Sequence, residues 1–194
     1  MVKRPNQAVL IEALDEFRDA MRLFIVRIMR RIWGKTIKNA IYESLSSQQA
    51  SDFKTNLHNN DGSIESALDI RDFPDIIIEN WQHVFRLRFR GDKRAHVKSL
   101  LYIIKHARDQ VSHPPLDTDL DTEYTRVVLY HIIEVLDKID AIEAKASVER
   151  LRDIMRRDQA LAFLKNTGRP LKQKPEQSQT DVPPHPLPED PLHF

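Results

Sequence analysis

Cysteine is missing from the chain. Its absence excludes a disulfide scaffold, a thiol nucleophile and every zinc site built on thiolates, and it fits a reducing compartment, so a cytoplasmic location is expected. Glycine is scarce, with four in 194 residues. Gly34, Gly62, Gly91 and Gly168 each stand alone between stretches of helical periodicity and read as helix terminators. No apolar run comes near the ~18–20 residues needed to span a bilayer, and the start, Met1 to Asn6, leads directly into an amphipathic pattern instead of a signal segment. A soluble, unprocessed protein with no membrane partner is expected. A charge excess is also lacking: 30 Lys and Arg against 29 Asp and Glu leave +1. Any attraction for a polyanion must therefore come from a local patch.

Strand signals are nearly absent. The single Asp61-Gly62 pair is flanked by polar residues, not by the alternating apolar ones of a hairpin, and the fold class read from the chain is all-α. A first helix is predicted from about Gln7 to Trp33, with Leu10, Leu14, Phe17, Met21, Phe24, Ile28 and Ile32 on one stripe. After Gly34 a second carries Ile37, Ile41 and Leu45, with Phe53 and Leu57 continuing it as another turn or two, and residues 59–63 read as a loop. A third starts at Pro74, capped by Asp72, and buries Ile77, Ile78, Trp81, Val84, Phe85 and Phe89. The fourth carries Val97, Leu100, Leu101, Ile104 and Val111 and stops at His113, because Pro114 and Pro115 forbid more. The fifth runs from about Leu120 or Thr122 through Val128, Ile132, Leu136 and Ile139 to Ala144, and a weaker sixth covers Ser147 to Lys165. Seven of the eleven prolines follow Gly168. The expected division is a helical domain over 7–145, an additional helix over 146–167, and a disordered tail or linker over 168–194.

Charge is segregated within this near-neutral chain. From Arg86 to Arg108 there are eight cations against Asp92, and from Leu116 to Ala144 eight acids against Arg126 and Lys138. The basic band, Arg86, Arg88, Arg90, Lys93, Arg94, Lys98 and Lys105, is a candidate RNA-binding surface. The bland reading is a solvated helix face compensated by the acidic fifth helix beside it.

Other motifs fail. Gly34-Lys35-Thr36 imitates the end of a phosphate-binding P-loop, but Met29 stands where that motif needs glycine, and a helix leads in where a strand should. His83, His96, His106, His113 and His131 form no Glu-x-x-His or His-Glu-x-x-His pattern, so no metal and no cofactor is expected. Met21, Met29, Trp33 and Trp81 lie on apolar stripes and read as core.

One constellation carries chemistry: Arg108, Asp109, Gln110, Val111, Ser112, His113, Pro114, at the end of the fourth helix. Carbonyl dipoles at a helix carboxyl end favour a charged imidazole, and a guanidinium grips phosphate oxygens in a fork. Histidine can move the proton of an attacking ribose hydroxyl or of a leaving oxygen, while arginine neutralises charge growing on phosphate. The bland alternative pairs Arg108 with an acid of the fifth helix and leaves His113 as a helix end.

With a long first helix and a later helix ending in Arg, a polar residue and His before Pro, the chain from about Ala8 to Ala144 resembles the HEPN superfamily (higher eukaryotes and prokaryotes nucleotide-binding). The phrases Asp75 to Phe85 and Arg108 to Pro114 look most like the branch named for synthetic lethality with the TREX complex, whose bacterial members join the domain to helicases or ATPases. The resemblance implies a bundle of four to five helices that forms a homodimer, two Arg and His pairs sharing one cleft. It also implies a metal-independent ribonuclease leaving a cyclic phosphate, in a toxin–antitoxin or anti-phage defence setting. In that scheme Arg108 binds phosphate, His113 is acid or base, and Asp109 orients its neighbours; Ser112 has no role. Pro115 stands where many toxins of the superfamily carry a tyrosine that an antitoxin modifies. An alternative implied by the same resemblance is a non-catalytic dimerisation or nucleic-acid-binding module that tethers an antitoxin, helicase or ATPase partner.

Overall fold

A computed structural model describes residues 5–89, 91–113 and 119–167. Among these there are only helices and turns, an all-α HEPN-like bundle. The elements are α1 (Pro5–Trp33), α2 (Ile37–Ser44), α3 (Ser47–Asn59), α4 (Ile64–Ala67), α5 (Phe73–Glu79), α6 (Arg94–Ser112), α7 (Thr122–Lys138) and α8 (Ile142–Thr167). Arg90, Pro114, Pro115 and the sequence from Gly168 onward, tail included, lie outside the described residues.

The spine is α1, because its apolar residues recur every three or four positions. Leu10, Leu14, Phe17, Met21, Phe24 and Ile28 are all buried, and they hold α1 against α6, α7 and α8. Each such side chain contributes roughly 1.5–3 kcal/mol on leaving water, so one stripe orders the whole bundle. Ile32 and Trp33 depart from the expected stripe and core: both are exposed, because the stripe outruns the core at the last turn. Aromatic rings from the segment after α5 close on α1, with Phe24 between Phe85 (6.0 Å) and Phe89 (5.9 Å) and Trp81 stacked on Phe89.

Several boundaries differ from the sequence reading. The second helix ends at Ser44, and α3 begins afresh behind a Ser46/Gln49 capping box, in which each residue's side chain satisfies the other's backbone amide. The third helix is broken at Asn80. Its side-chain amide donates to Ser44 Oγ (2.7 Å) and to the Ile76 carbonyl (2.9 Å), and the chain then makes a single wide π turn over Trp81–Phe85, with Arg86 N–H reaching back to the Trp81 carbonyl. Asp72 does not cap α5 with its side chain.

The fifth helix stops at Lys138 instead of Ala144. Ala141 N–H donates to the Leu136 carbonyl and Asp140 N–H to that of Asp137, a Schellman closure with Asp140 left-handed at φ 58°. Asp140 carries both the steric cost of that conformation and a negative charge beside the carboxyl end of α7. Asp140→Gly is therefore expected to stabilise the protein by about 0.5–1 kcal/mol, read as a higher midpoint in thermal unfolding. Beyond this corner α8 starts five residues earlier than the periodicity suggests. Its Val148, Leu151 and Met155 are buried, and α8 lies on both α1 and α7.

Candidate functional site

The amphipathic spacing of α6 puts Val97, Leu100, Leu101, Ile104 and Ala107 in the core, which leaves Arg108 at the edge of that face and Asp109 beyond it. A small cleft of about 280 Å³ opens here, lined by Ile11, Leu14, Asp15 and Arg18 of α1, Asp69 and Ile70 of the loop before α5, and Arg108, Val111 and Ser112 of α6.

Arg108 is fixed in this cleft by a fork to a carboxylate. Nε lies 3.3 Å from Asp69 Oδ1 and Nη2 donates to Asp69 Oδ2 at 3.4 Å, while Nη1 donates to Asp109 Oδ1 at 3.3 Å. The partner expected from the bland reading, an acid of the fifth helix, is thus replaced by Asp69, thirty-nine positions upstream. A guanidinium has five N–H donors, so three engaged ones leave two for a phosphate. Asp109 joins the two candidate catalytic residues: its side chain accepts from Arg108, and its carbonyl accepts His113 N–H at 3.2 Å. Ser112 Oγ donates to the Arg108 carbonyl.

His113 ends α6 with φ −130° and ψ 63°, and its side chain is exposed. It is not among the residues that line the cleft. Five residues along an α-helix are about 140° round its axis, so one α6 turns Arg108 and His113 towards different directions.

Asp69 is held by its own loop. Arg22 of α1 donates from Nε to the Leu68 carbonyl at 2.7 Å, Asp72 Oδ2 accepts Asp69 N–H at 2.9 Å, and Arg71 N–H donates to Asp69 Oδ1 at 3.1 Å. Asp72 is buried, and loss of solvation raises its carboxyl from the ordinary 3.8 to about 6. A carboxyl that keeps its proton more tightly when folded makes folding bind a proton between about pH 4 and pH 6, so the contribution of Asp72 to stability is greatest below that window and falls as pH rises through it. The expected loss is up to about 3 kcal/mol by near-neutral pH. Asp72→Asn keeps an acceptor for the Asp69 amide and is expected to abolish this slope, as denaturant unfolding across that pH range would read.

The basic band is divided by its partners. Arg86, Arg88, Lys93, Arg94 and Lys98 are exposed and Lys105 is half-buried; Arg90 lies outside the described residues. Arg94 donates to the Ile78 carbonyl, and the ammonium groups of Lys98 and Lys105 sit over the Tyr102 ring at 5.6 and 5.4 Å. The acidic face of α7 pairs with other cations: Glu134 with His96 at 2.9 Å, and Glu134 together with Asp92 with Lys138. Among the described residues, no acid of α7 forms an ion pair with a cation of the band. Among the described residues, no group of three or more His, Asp or Glu side chains is arranged to hold a metal ion, and no helix is long and apolar enough to cross a membrane.

Sequence reasoning missed Asp69. It sits in a short polar stretch, Asp69 to Asp72, whose only signal is two acids around an arginine in a loop, and that pattern does not say which carboxylate faces α6.

No curated protein and no solved structure matches the chain. A family model described as Swt1-like HEPN matches residues 12–140, from the first third of α1 to the α7–α8 corner, and so takes in the Asp69 loop, Arg108, His113 and the lining of the cleft apart from Ile11. On that match the chain belongs to the Swt1-like HEPN family.

Proposed function

We propose that this chain is a metal-independent endoribonuclease whose reacting groups are Arg108 and His113. The observation that supports it best is the forked guanidinium of Arg108 in a small cleft, with two donors still open, on the helix that ends in an exposed histidine. The ribose 2′-oxygen attacks phosphorus, the bond to the 5′-oxygen breaks, and a 2′,3′-cyclic phosphate and a 5′-hydroxyl result. His113 takes the 2′-hydroxyl proton or protonates the departing oxygen, and Arg108 stabilises the charge on the non-bridging oxygens. Asp109 ties the two through its side chain and its carbonyl. Arg86, Arg88, Lys93, Arg94, Lys98 and Lys105 draw the strand along α6.

The divergent directions of Arg108 and His113 on one α6 support a homodimer, in which a second copy brings its own pair to a shared groove. Family membership supports an RNA-directed role, and the setting we read from the resemblance is toxin–antitoxin or anti-phage defence. A second reading has its own observation: Arg108 is already engaged by two carboxylates and His113 lies outside the cleft, which fits a non-catalytic HEPN module. Incubating the chain with RNA in excess chelator separates the two. Fragments that vanish with Arg108→Ala support the nuclease, whereas binding with no fragments supports the module.

A further inference from the structure

Lys105 follows Lys98 by seven positions on α6, two helical turns, and Tyr102 stands between them on the same stripe. A single exposed aromatic is ordinary on a protein surface. This one differs in three ways.

Its ring is oriented, since the hydroxyl donates to Asp75 Oδ1 at 3.0 Å while Gln49 holds the other oxygen of that carboxylate at 2.8 Å. It is flanked by cations, both lysine ammonium groups lying over the ring. It is also wired to the cleft: the same Gln49 amide donates to the Arg71 carbonyl at 3.0 Å, and Arg71 N–H holds Asp69, the partner of Arg108. The ring and the guanidinium therefore share one hydrogen-bonded frame beside α5, from helix positions about 9 Å apart along the axis of α6 and about 120° apart around it.

We infer that Tyr102, between Lys98 and Lys105, is a stacking site for an unpaired base of an RNA strand whose backbone continues to Arg108. The inference rests on the RNA-cleaving reading and adds to it a residue and a preference for single strands.

A π-face accepts any base, and a lysine over it is held only weakly, by about 0.5–1 kcal/mol at an exposed position. An arriving base takes the place of an ammonium group over the ring, and that ammonium moves to the adjoining phosphate. Asp75 lies at the hydroxyl end of Tyr102, so the phosphates run on the lysine side. A duplex, with its bases already stacked inside, gains the lysines but not the ring.

The test uses the full chain carrying His113→Ala, so that RNA is not consumed, with a short fluorescein-labelled oligouridylate and an RNA duplex of equal length followed by anisotropy. Tyr102→Leu is expected to weaken single-strand binding by about 5- to 150-fold, the span of one lost base stack, and to leave duplex binding unchanged. Tyr102→Trp keeps a π-face and is expected to bind the oligouridylate as well as the parent, although it loses the hydroxyl. Tyr130 on α7, 40 % exposed against 39 % for Tyr102 and flanked by Arg152 and Arg156, is the control, and Tyr130→Leu is expected to be silent. A silent Tyr102→Leu, a Tyr102→Trp as weak as Tyr102→Leu, or equal losses at both tyrosines would overturn the stacking site. If the parent chain cuts RNA while Tyr102→Leu is silent, only the stacking site falls; if the oligouridylate does not bind at all, the RNA reading falls with it.

Discussion

Replacing His113 by alanine is expected to lower RNA cleavage by about 10²–10⁴-fold, the usual contribution of a positioned acid or base, while the helical signal, the melting temperature and the oligomeric state stay those of the parent. The expectation of unchanged stability comes from the exposure of the side chain at the end of α6. What holds that end is backbone, His113 N–H on the Asp109 carbonyl, and alanine keeps it. His113→Ala thus separates chemistry from folding in a way that a buried residue of α6 does not. Cleavage by the purified variant at the rate of the parent would remove His113 from the mechanism.

Asp69→Ala carries the second large effect, expected to be a fall in cleavage of about 10²-fold, because small misplacements of a positioned group reach that size. The variant takes away both oxygens that fork Arg108 and one anchor of Arg71. The guanidinium keeps Asp109, whose side chain is 45 % exposed and follows it directly in sequence, too mobile a partner to fix its plane. Asp69→Asn, which retains one acceptor oxygen, is expected to fall between parent and Asp69→Ala. Kinetics at saturating and limiting RNA read the result. Faster cleavage by Asp69→Ala would mean that the carboxylate competes with phosphate for Arg108 and does not hold it in place.

What was legible in the chain follows from which interactions are local. Stripes with a spacing of three and four placed the buried faces of α1, α6 and α7, because helix periodicity and core burial are the same signal there. The short motif from Arg108 to Pro114, with the tryptophan-bearing segment from Asp75 to Phe85, pointed to the superfamily, and the family match over residues 12–140 falls inside the stretch from Ala8 to Ala144 on which that resemblance rests.

Other features depend on partners far apart in sequence. Asn80 breaks a helix that Pro74 to Phe89 otherwise supports, and it does so by bonding Ser44, thirty-six positions away. Asp69 meets Arg108 across thirty-nine. Asp140 ends α7 in a left-handed conformation with no glycine to announce it. Asp72 looked like a helix cap because it precedes Pro74, yet its carboxylate turns back to the Asp69 amide and helps to build the site.

The most direct test is the chemical identity of the fragment ends. With RNA incubated in chelator, mass spectrometry of the products is predicted to show 2′,3′-cyclic phosphate on one side of each cut and 5′-hydroxyl on the other, both disappearing with Arg108→Ala. Fragments that carry 5′-phosphate and 3′-hydroxyl, or cyclic ends that persist in that variant, would contradict an arginine and histidine site of transphosphorylation.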